Sequence, residues 1–363
     1  MENETATNVC TNDTIILLND SPVVFFTEYR DLTGASSVKY KFLTGVPQTL
    51  FSENGAIVSD FQVLKTDTGD LIAIWKQVEM ALPDKHRIFF GNIDSDFKLT
   101  SKNEITTAPK NIKFHTLRGA VLGEFLAISA YDTTSEKFMV ISHNYNTNNF
   151  PETIYYLPDN PSNEFKDLRH SLITNIQMLI NGENILLQAN IENQVLRTWQ
   201  LNINDDGSLV VDILFDFADS NLGFHRTIIN DDGDFMLITF SGANKDTAVN
   251  NDIFIVKQPL FSDKDIYTLQ ALPINQTHGY YIRPEIVQKD NYYWLLWEGS
   301  RIHYTAINSD LNITVPENTI DTDKPGNILS TVSDEIIISN TSNKLPILNA
   351  GLSIETHIIS MQY

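Results

Sequence analysis

Residues 280–310, YYIRPEIVQKDNYYWLLWEGSRIHYTAINSD, decide how the rest of the chain is read. They predict three short strands in succession: Arg283 to Val287, Tyr292 to Trp297 and Arg301 to Ile307. Polar turns at Lys289-Asp290-Asn291 and Glu298-Gly299-Ser300 separate them. Aromatic and β-branched residues between Gly, Asn and Asp turns are hairpin chemistry. The middle strand is a continuous apolar run, which suits a strand buried on both faces.

The same paragraph recurs along the chain. Its apolar second strand appears as PVVFFTE (22–28), DLIAIWK (70–76), EFLAISA (124–130), NILLQAN (184–190), DFMLITF (234–240), YYWLLWE (292–298) and EIIISNT (335–341). The starts lie 48, 54, 60, 50, 58 and 43 residues apart, the spacing of four-stranded units. Each copy follows a first strand and a turn, as in FQVLKTDTGD (61–70) and HRTIINDDGD (225–234), and precedes a more alternating third strand. Isolated four-stranded meanders cannot bury both faces, so radial stacking follows. The expected fold is all-β: one seven-bladed β-propeller of four-stranded antiparallel blades spanning 1–363. The blades fall at about 11–54, 55–109, 110–160, 171–220, 221–275, 280–322 and 323–363. The last copy ends on its third strand, so residues 4–10 (ETATNVC) are expected to close it. A short helix is expected within 163–179, where Phe165, Leu168 and Leu172 are helically spaced.

Composition narrows the function. With 25 basic and 46 acidic residues the net charge is −21, a field that repels nucleic acid and anionic membrane surfaces. No apolar run reaches the roughly 18 residues that a membrane helix needs, so neither nucleic-acid binding nor membrane insertion is expected. Cys10 is the lone cysteine, which excludes an intrachain disulfide. The N-terminal MENETATNVCTND has no secretory signal pattern. A soluble cytoplasmic protein is expected, or one exported by a route that needs no signal peptide. Asn-X-Ser/Thr triplets begin at Asn3, Asn12, Asn275, Asn312 and Asn340 and read as chance in an Asn-rich chain.

The copies RPEIVQKDNYYWLLWEGSRIHYTAI and VSDFQVLKTDTGDLIAIW resemble the repeats of sialidase-like (BNR-type) propellers. The shared pattern is a strand, an Asp/Gly turn, an apolar strand ending in Trp, and a polar third strand. The resemblance implies the propeller fold over nearly the whole chain. The Ser-x-Asp-x-Gly-x-Thr-Trp box of sialidases is absent, and Thr66-Asp67-Thr68-Gly69 echoes only its turn.

First strands of propeller blades line the central channel. Aligning the copies on their second strands brings Asn12, Phe61, His115, Asn175, His225, Arg283 and Pro325 into one column, with Arg118, Arg226 and Glu285 within three residues of it. A neutral imidazole serves as base or ligand, and a guanidinium holds a carboxylate or sulfate. The candidate ligand-binding residues are therefore His115, Asn175, His225, Arg283, Arg118, Arg226 and Glu285. The same residues can instead be channel-lining groups held by water. In the alignment Arg283 has no internal carboxylate unless Glu285 turns inward.

Asp231-Asp232-Gly233-Asp234 and Asp205-Asp206-Gly207 read as Asx turns rather than calcium loops. Trp75 and Trp297 suit packing between blades better than sugar stacking. No metal and no cofactor is expected. Two functions stay open. The first is a non-enzymatic recognition module for a glycan or protein partner. The second is a carbohydrate-active enzyme, a polysaccharide lyase or glycoside hydrolase, with His115 or His225 as base and Arg283 neutralising a carboxylate. The sequence leaves the oligomeric state open.

Overall fold

The computed structural model describes residues 8–30, 35–42, 45–82, 85–106, 108–112, 116–146, 153–157, 174–191, 195–218, 222–243, 251–260, 271–277, 279–321, 328–332, 336–342 and 353–359. These residues form antiparallel sheets, and no helix occurs among them. The first sheet is β1 (Asn8–Leu18), β2 (Ser21–Arg30), β3 (Ala35–Phe42) and β4 (Gln48–Asn54). The second is β5 (Ala56–Lys65), β6 (Leu71–Glu79), β7 (His86–Ile93) and β8 (Asn103–Glu104). The third is β9 (Arg118–Leu122), β10 (Phe125–Asp132), β11 (Lys137–Asn144) and β12 (Thr153–Tyr156). The fourth is β13 (Thr174–Asn181), β14 (Asn184–Ile191), β15 (Val195–Ile203) and β16 (Leu209–Ala218). The fifth is β17 (Leu222–Ile229), β18 (Phe235–Ala243), β19 (Asn251–Pro259) and β20 (Leu272–Pro273). The sixth is β21 (Ile282–Lys289), β22 (Tyr292–Glu298), β23 (Ile302–Ile307) and β24 (Ile313–Ile320). The last has three strands, β25 (Ile328–Val332), β26 (Ile336–Ser342) and β27 (Ser353–Ile359).

Each apolar segment named above becomes the second strand of its sheet, and its burial explains why. Leu71–Val78 of β6, Leu126–Asp132 of β10 and Ile185–Ile191 of β14 are buried without a break. Their side chains alternate into the two seams that flank the sheet. Trp75 goes to the seam between the first two sheets, stacked on Phe89 at 5.6 Å. Trp297 goes to the seam between the fifth and sixth. Both are 0% exposed, so they pack between sheets and present no face to a sugar. Truncating either to Ala would cost about 3–5 kcal/mol.

The first strand of each sheet packs beside that of the next, β1 by β5 and so on through β21 by β25, and β25 lies back against β1. Side chains bridge these neighbours. Val63 N donates to Thr14 Oγ1, Gly119 N to Gln62 Oε1, and Arg118 Nε to the Ile176 carbonyl. Gln177 bonds both N and O of Thr227, while Asn175 reaches His225. The constant offset of those last two pairs shows adjacent inner strands running side by side in one direction. The ring therefore has two distinct ends. Inner strands begin at the upper end, and the inner hairpins turn at the lower end.

One expectation changes. Asn8, Val9 and Cys10 pair with Arg30, Tyr29 and Glu28 on β2, so this part of the expected closing strand extends the inner strand of the first sheet. Continuing an existing ladder satisfies its backbone groups without a crossing to the outer edge of the neighbouring last sheet. Residues 4–7 lie outside the described residues. The helix expected within 163–179 rests on Phe165, Leu168 and Leu172, which lie outside the described residues; residues 174–179 belong to β13, paired with β14.

Candidate functional site at the upper end

Five of the inner strands share an irregularity near their upper ends. Register shifts fall between Asn12 and Thr14, Ser59 and Gln62, Thr174 and Ile176, Leu222 and His225, and Ile282 and Glu285. A bulge adds one unpaired residue and re-aims the side chains beside it. Asp60, Asn175 and Arg283 sit there with φ of 53°, 50° and 50°. Asp and Asn tolerate that region; for Arg it is uncommon. At the fifth sheet Gly223 takes this place, because a Cβ there would lie 2.4 Å from Ser241 Oγ.

These bulges break up the aligned column. Phe61 turns into the seam between the first two sheets, 1% exposed. His225 is also 1% exposed and lies at the boundary of the fourth and fifth sheets. Asn175 Nδ2 donates to the His225 carbonyl at 2.6 Å and lies 3.3 Å from its Nδ1. Burial, aided by the charge of Arg226, pushes the His225 imidazole down to about 3, so it is neutral at ordinary pH. His115 and Pro325, and the side chain of Asn12, lie outside the described residues.

Arg283 remains at the surface. Its side chain is 40% exposed and Nη1 donates to Glu298 Oε2 at 2.9 Å. The guanidinium lies 5.6 Å from the Phe224 ring centroid, a cation–π contact. Phe224 is 44% exposed and Tyr280, just before β21, 66%. The expected vacancy beside Arg283 is thus filled, and by Glu298 rather than Glu285. Glu285 is held instead by Arg226 Nε at 2.9 Å. Burial raises the Glu285 and Glu298 carboxyls above the usual range, partly offset by Arg226 and Arg283 respectively. Arg118 is occupied too, donating to the carbonyls of Ile176 and Leu117.

Three participants escaped the sequence reading: Phe224, Glu298 and the buried Lys76–Asp60 pair, 3.0 Å apart. In sequence Glu298 belongs to the Glu298-Gly299-Ser300 turn beside Trp297. Its distance from Arg283 in sequence gave no hint that the two ends of one hairpin face each other.

Outward on the same end, Glu317 of β24 gathers the link between the fifth and sixth sheets. It accepts from Gln276 N, Thr277 N, Thr277 Oγ1 and His303 Nδ1 at 2.6–2.9 Å. Burial raises its pKa, but these hydrogen bonds outweigh that and hold the carboxyl below its usual value. Asn275, head of one sequence triplet, donates Nδ2 to Asp252 Oδ1 and the Thr277 carbonyl. That amide is engaged in the fold.

At the lower end, Asp206 Oδ1 accepts from Ser208 N and Oγ, and Asn230 Oδ1 accepts from Phe235 N. These are Asx-type turns, closed by Gly207 and Gly233 at φ of 79° and 73°. Among the described residues no group of three or more His, Cys, Asp or Glu side chains is placed to hold a metal, and no helix is long and apolar enough to cross a membrane.

No protein-family model matches the chain, and no curated protein matches its sequence. Solved structures do match. The β-propeller domain of the trilobed protease from Pyrococcus furiosus, described as having an open velcro topology, aligns with TM-score 0.52 at 10% identity, covering 98% of each chain. The chain is a β-propeller. Pyrococcus horikoshii acylaminoacyl peptidase aligns with TM-score 0.51 and 9% identity over 99% of this chain but 53% of its own. The Dos1 propeller gives 0.50 and 10%, covering 90% of this chain and 74% of the other. At such identities the likeness concerns the fold alone. Within the propeller the upper end carries Arg283, Phe224 and Tyr280, and beneath them Asn175 is bonded to His225 and Arg226 to Glu285.

Proposed function

We propose that this propeller is a non-enzymatic recognition module of seven blades that takes a glycan or protein ligand on its upper face. The supporting observation is Arg283: an arginine held at positive φ on a bulge, half open to solvent, with Phe224 and Tyr280 exposed nearby. Backbone strain of this kind persists where surrounding structure over-determines it and is often tied to binding. Glu298 fixes one edge of the guanidinium and leaves its remaining N–H groups for an anionic group such as a carboxylate or sulfate. The aromatic rings supply stacking or apolar contact beside it.

The blade count in this reading takes the three-stranded sheet as a full member of the ring, joined to the first by packing of β25 and β26 on β1. Catalysis by His225 is not part of it, because a neutral, 1% exposed imidazole reaches no substrate. The test is a glycan array that includes uronate and sulfated glycans, run with an affinity capture of protein ligands. Arg283→Ala and Phe224→Ala should each weaken capture at least tenfold with unchanged circular dichroism. Retention of full binding by both variants would remove the upper face from the reading.

A further inference from the structure

The boundary between the fourth and fifth sheets differs from its neighbours. The seam between the third and fourth sheets is lined by Tyr131, Phe138, Val140, Leu187 and Trp199, apart from small alanines and further aliphatics. On the other side of the fourth sheet, Leu186 of β14 packs with Met236, Ile238 and Phe240 of β18. Gln188 and Asn190 follow Leu186 at alternate positions, so they share its face. His225 and Thr227 lie directly across from Phe240 and Ile238 in the ladder, so they share theirs. Four polar side chains thus meet in one seam, and they are 0%, 0%, 1% and 3% exposed.

Part of their hydrogen-bonding capacity is already engaged. Asn190 Nδ2 donates to the carbonyls of Leu222 and Gly223 at 3.1 and 2.7 Å. Gln188 Nε2 donates to Thr198 Oγ1 within the fourth sheet at 3.0 Å and reaches Met236 Sδ of the fifth at 3.5 Å. The remaining atoms, Gln188 Oε1, Asn190 Oδ1, His225 Nε2 and Thr227 Oγ1, have no partner among the described residues. Four buried groups left dry would cost a large part of a domain's net stability. Their chemistry is complementary. Asn175 donates toward His225 Nδ1, which places the imidazole proton on Nε2 and makes it a donor. The two amide oxygens accept, and the threonine hydroxyl does either.

We propose that the seam between the fourth and fifth sheets is a built binding site for internal water, held by Gln188, Asn190, His225 and Thr227. A cation would be refused by the imidazole N–H and an anion by the two amide oxygens. A small neutral molecule that both donates and accepts suits all four, and water needs only two to four such partners. This site is separate from the exposed face around Arg283, and it gives the buried histidine a structural duty.

Oxygen-17 magnetic relaxation dispersion on the full chain counts long-lived internal water. Thr227→Val, which keeps shape and removes the hydroxyl, and His225→Phe should each reduce the dispersion amplitude by at least one water. An unchanged amplitude in folded Thr227→Val overturns the proposal. A high-resolution crystal structure decides the same point independently. Water density within hydrogen-bond reach of His225 Nε2 and Asn190 Oδ1 supports it, and direct protein partners on all four atoms refute it.

Discussion

The upper and lower ends of this ring use charge in opposite ways. At the upper end cations and carboxylates are matched: Lys76 with Asp60, Arg87 with Glu79, Arg197 with Asp216, Arg226 with Glu285 and Arg283 with Glu298. Several of these are buried, and Arg197 grips Asp216 through both Nε and Nη2. At the lower end the inner hairpin turns expose Asp20, Asp67, Asp70, Glu124, Glu183, Asp231, Asp232, Asp234 and Asp290. An ion pair there, Lys98 with Asp96, is mostly in water. Apart from the exposed Arg301–Asp321 pair, charge at the upper end is therefore largely a packing element, whereas at the lower end it is a solvated surface. Breaking one should be costly, and neutralising the other nearly free.

The largest expected effect comes from Lys76→Met. It strands the Asp60 carboxylate in a water-excluded site, and a loss of about 3–5 kcal/mol is expected by chemical denaturation. Replacing Asp60 by Leu as well should recover much of that loss. If Lys76→Met costs no more than a surface substitution, the contrast between the two ends fails.

Glu317→Gln comes next. It weakens four hydrogen bonds to a charged acceptor, and a loss of about 1.5–3 kcal/mol is expected. Because the folded pKa of Glu317 lies below its unfolded value, its contribution is present above the unfolded carboxylate pKa and lost as pH falls through the folded one. The difference between wild type and variant should accordingly shrink on acidification. A difference that stays constant from neutral to acid pH would deny the ionised clamp.

Arg283→Ala should cost under about 1 kcal/mol, since the pair is partly exposed. Its clearer sign is on Glu298, whose carboxyl burial already raises. Removing the guanidinium should raise it further, as read by carbon-13 NMR titration. A carboxyl raised in the folded state stabilises fully below its unfolded pKa and loses that contribution as pH rises through the folded one. The variant's stability penalty should therefore grow from acid to neutral pH.

The smallest effect belongs to the lower end. Asp232→Asn with Asp234→Asn should change stability by a few tenths of a kcal/mol and in the stabilising direction at low salt, by relieving like-charge repulsion. Added sodium chloride should erase the difference, because exposed charges are screened over about 10 Å at 0.1 M. A salt-independent effect would mean that these turns do more than face solvent.

The strand pattern was legible in the sequence because each second strand is continuously apolar and each turn carries Gly, Asn or Asp. The candidate column was legible only in part. Asn175 and His225 do meet, as the alignment implied, but inside a seam. The cause is the bulge in five of the inner strands, which shifts the alternation by one residue and is barely marked in sequence, except by Gly223 and the Arg283-Pro284 step. Pairing choices were not legible either: Glu285 and Glu298 are equally reasonable partners for Arg283 until the hairpin geometry assigns one to each arginine.

By itself the sequence determined the repeat, the apolar strands and the turn chemistry, since these depend on neighbours a few residues apart. It also determined the sum of charge but not its placement. Arg87, Arg118, Arg197, Arg226, Arg283 and Arg301 look scattered along the chain, yet all stand in the upper half of the ring. Every sheet runs in the same order, so residues at one phase of the repeat come to one end. That convergence, the bulges that re-aim side chains, and the burial that silences His225 belong to the tertiary structure, because they arise from contacts between segments some fifty residues apart.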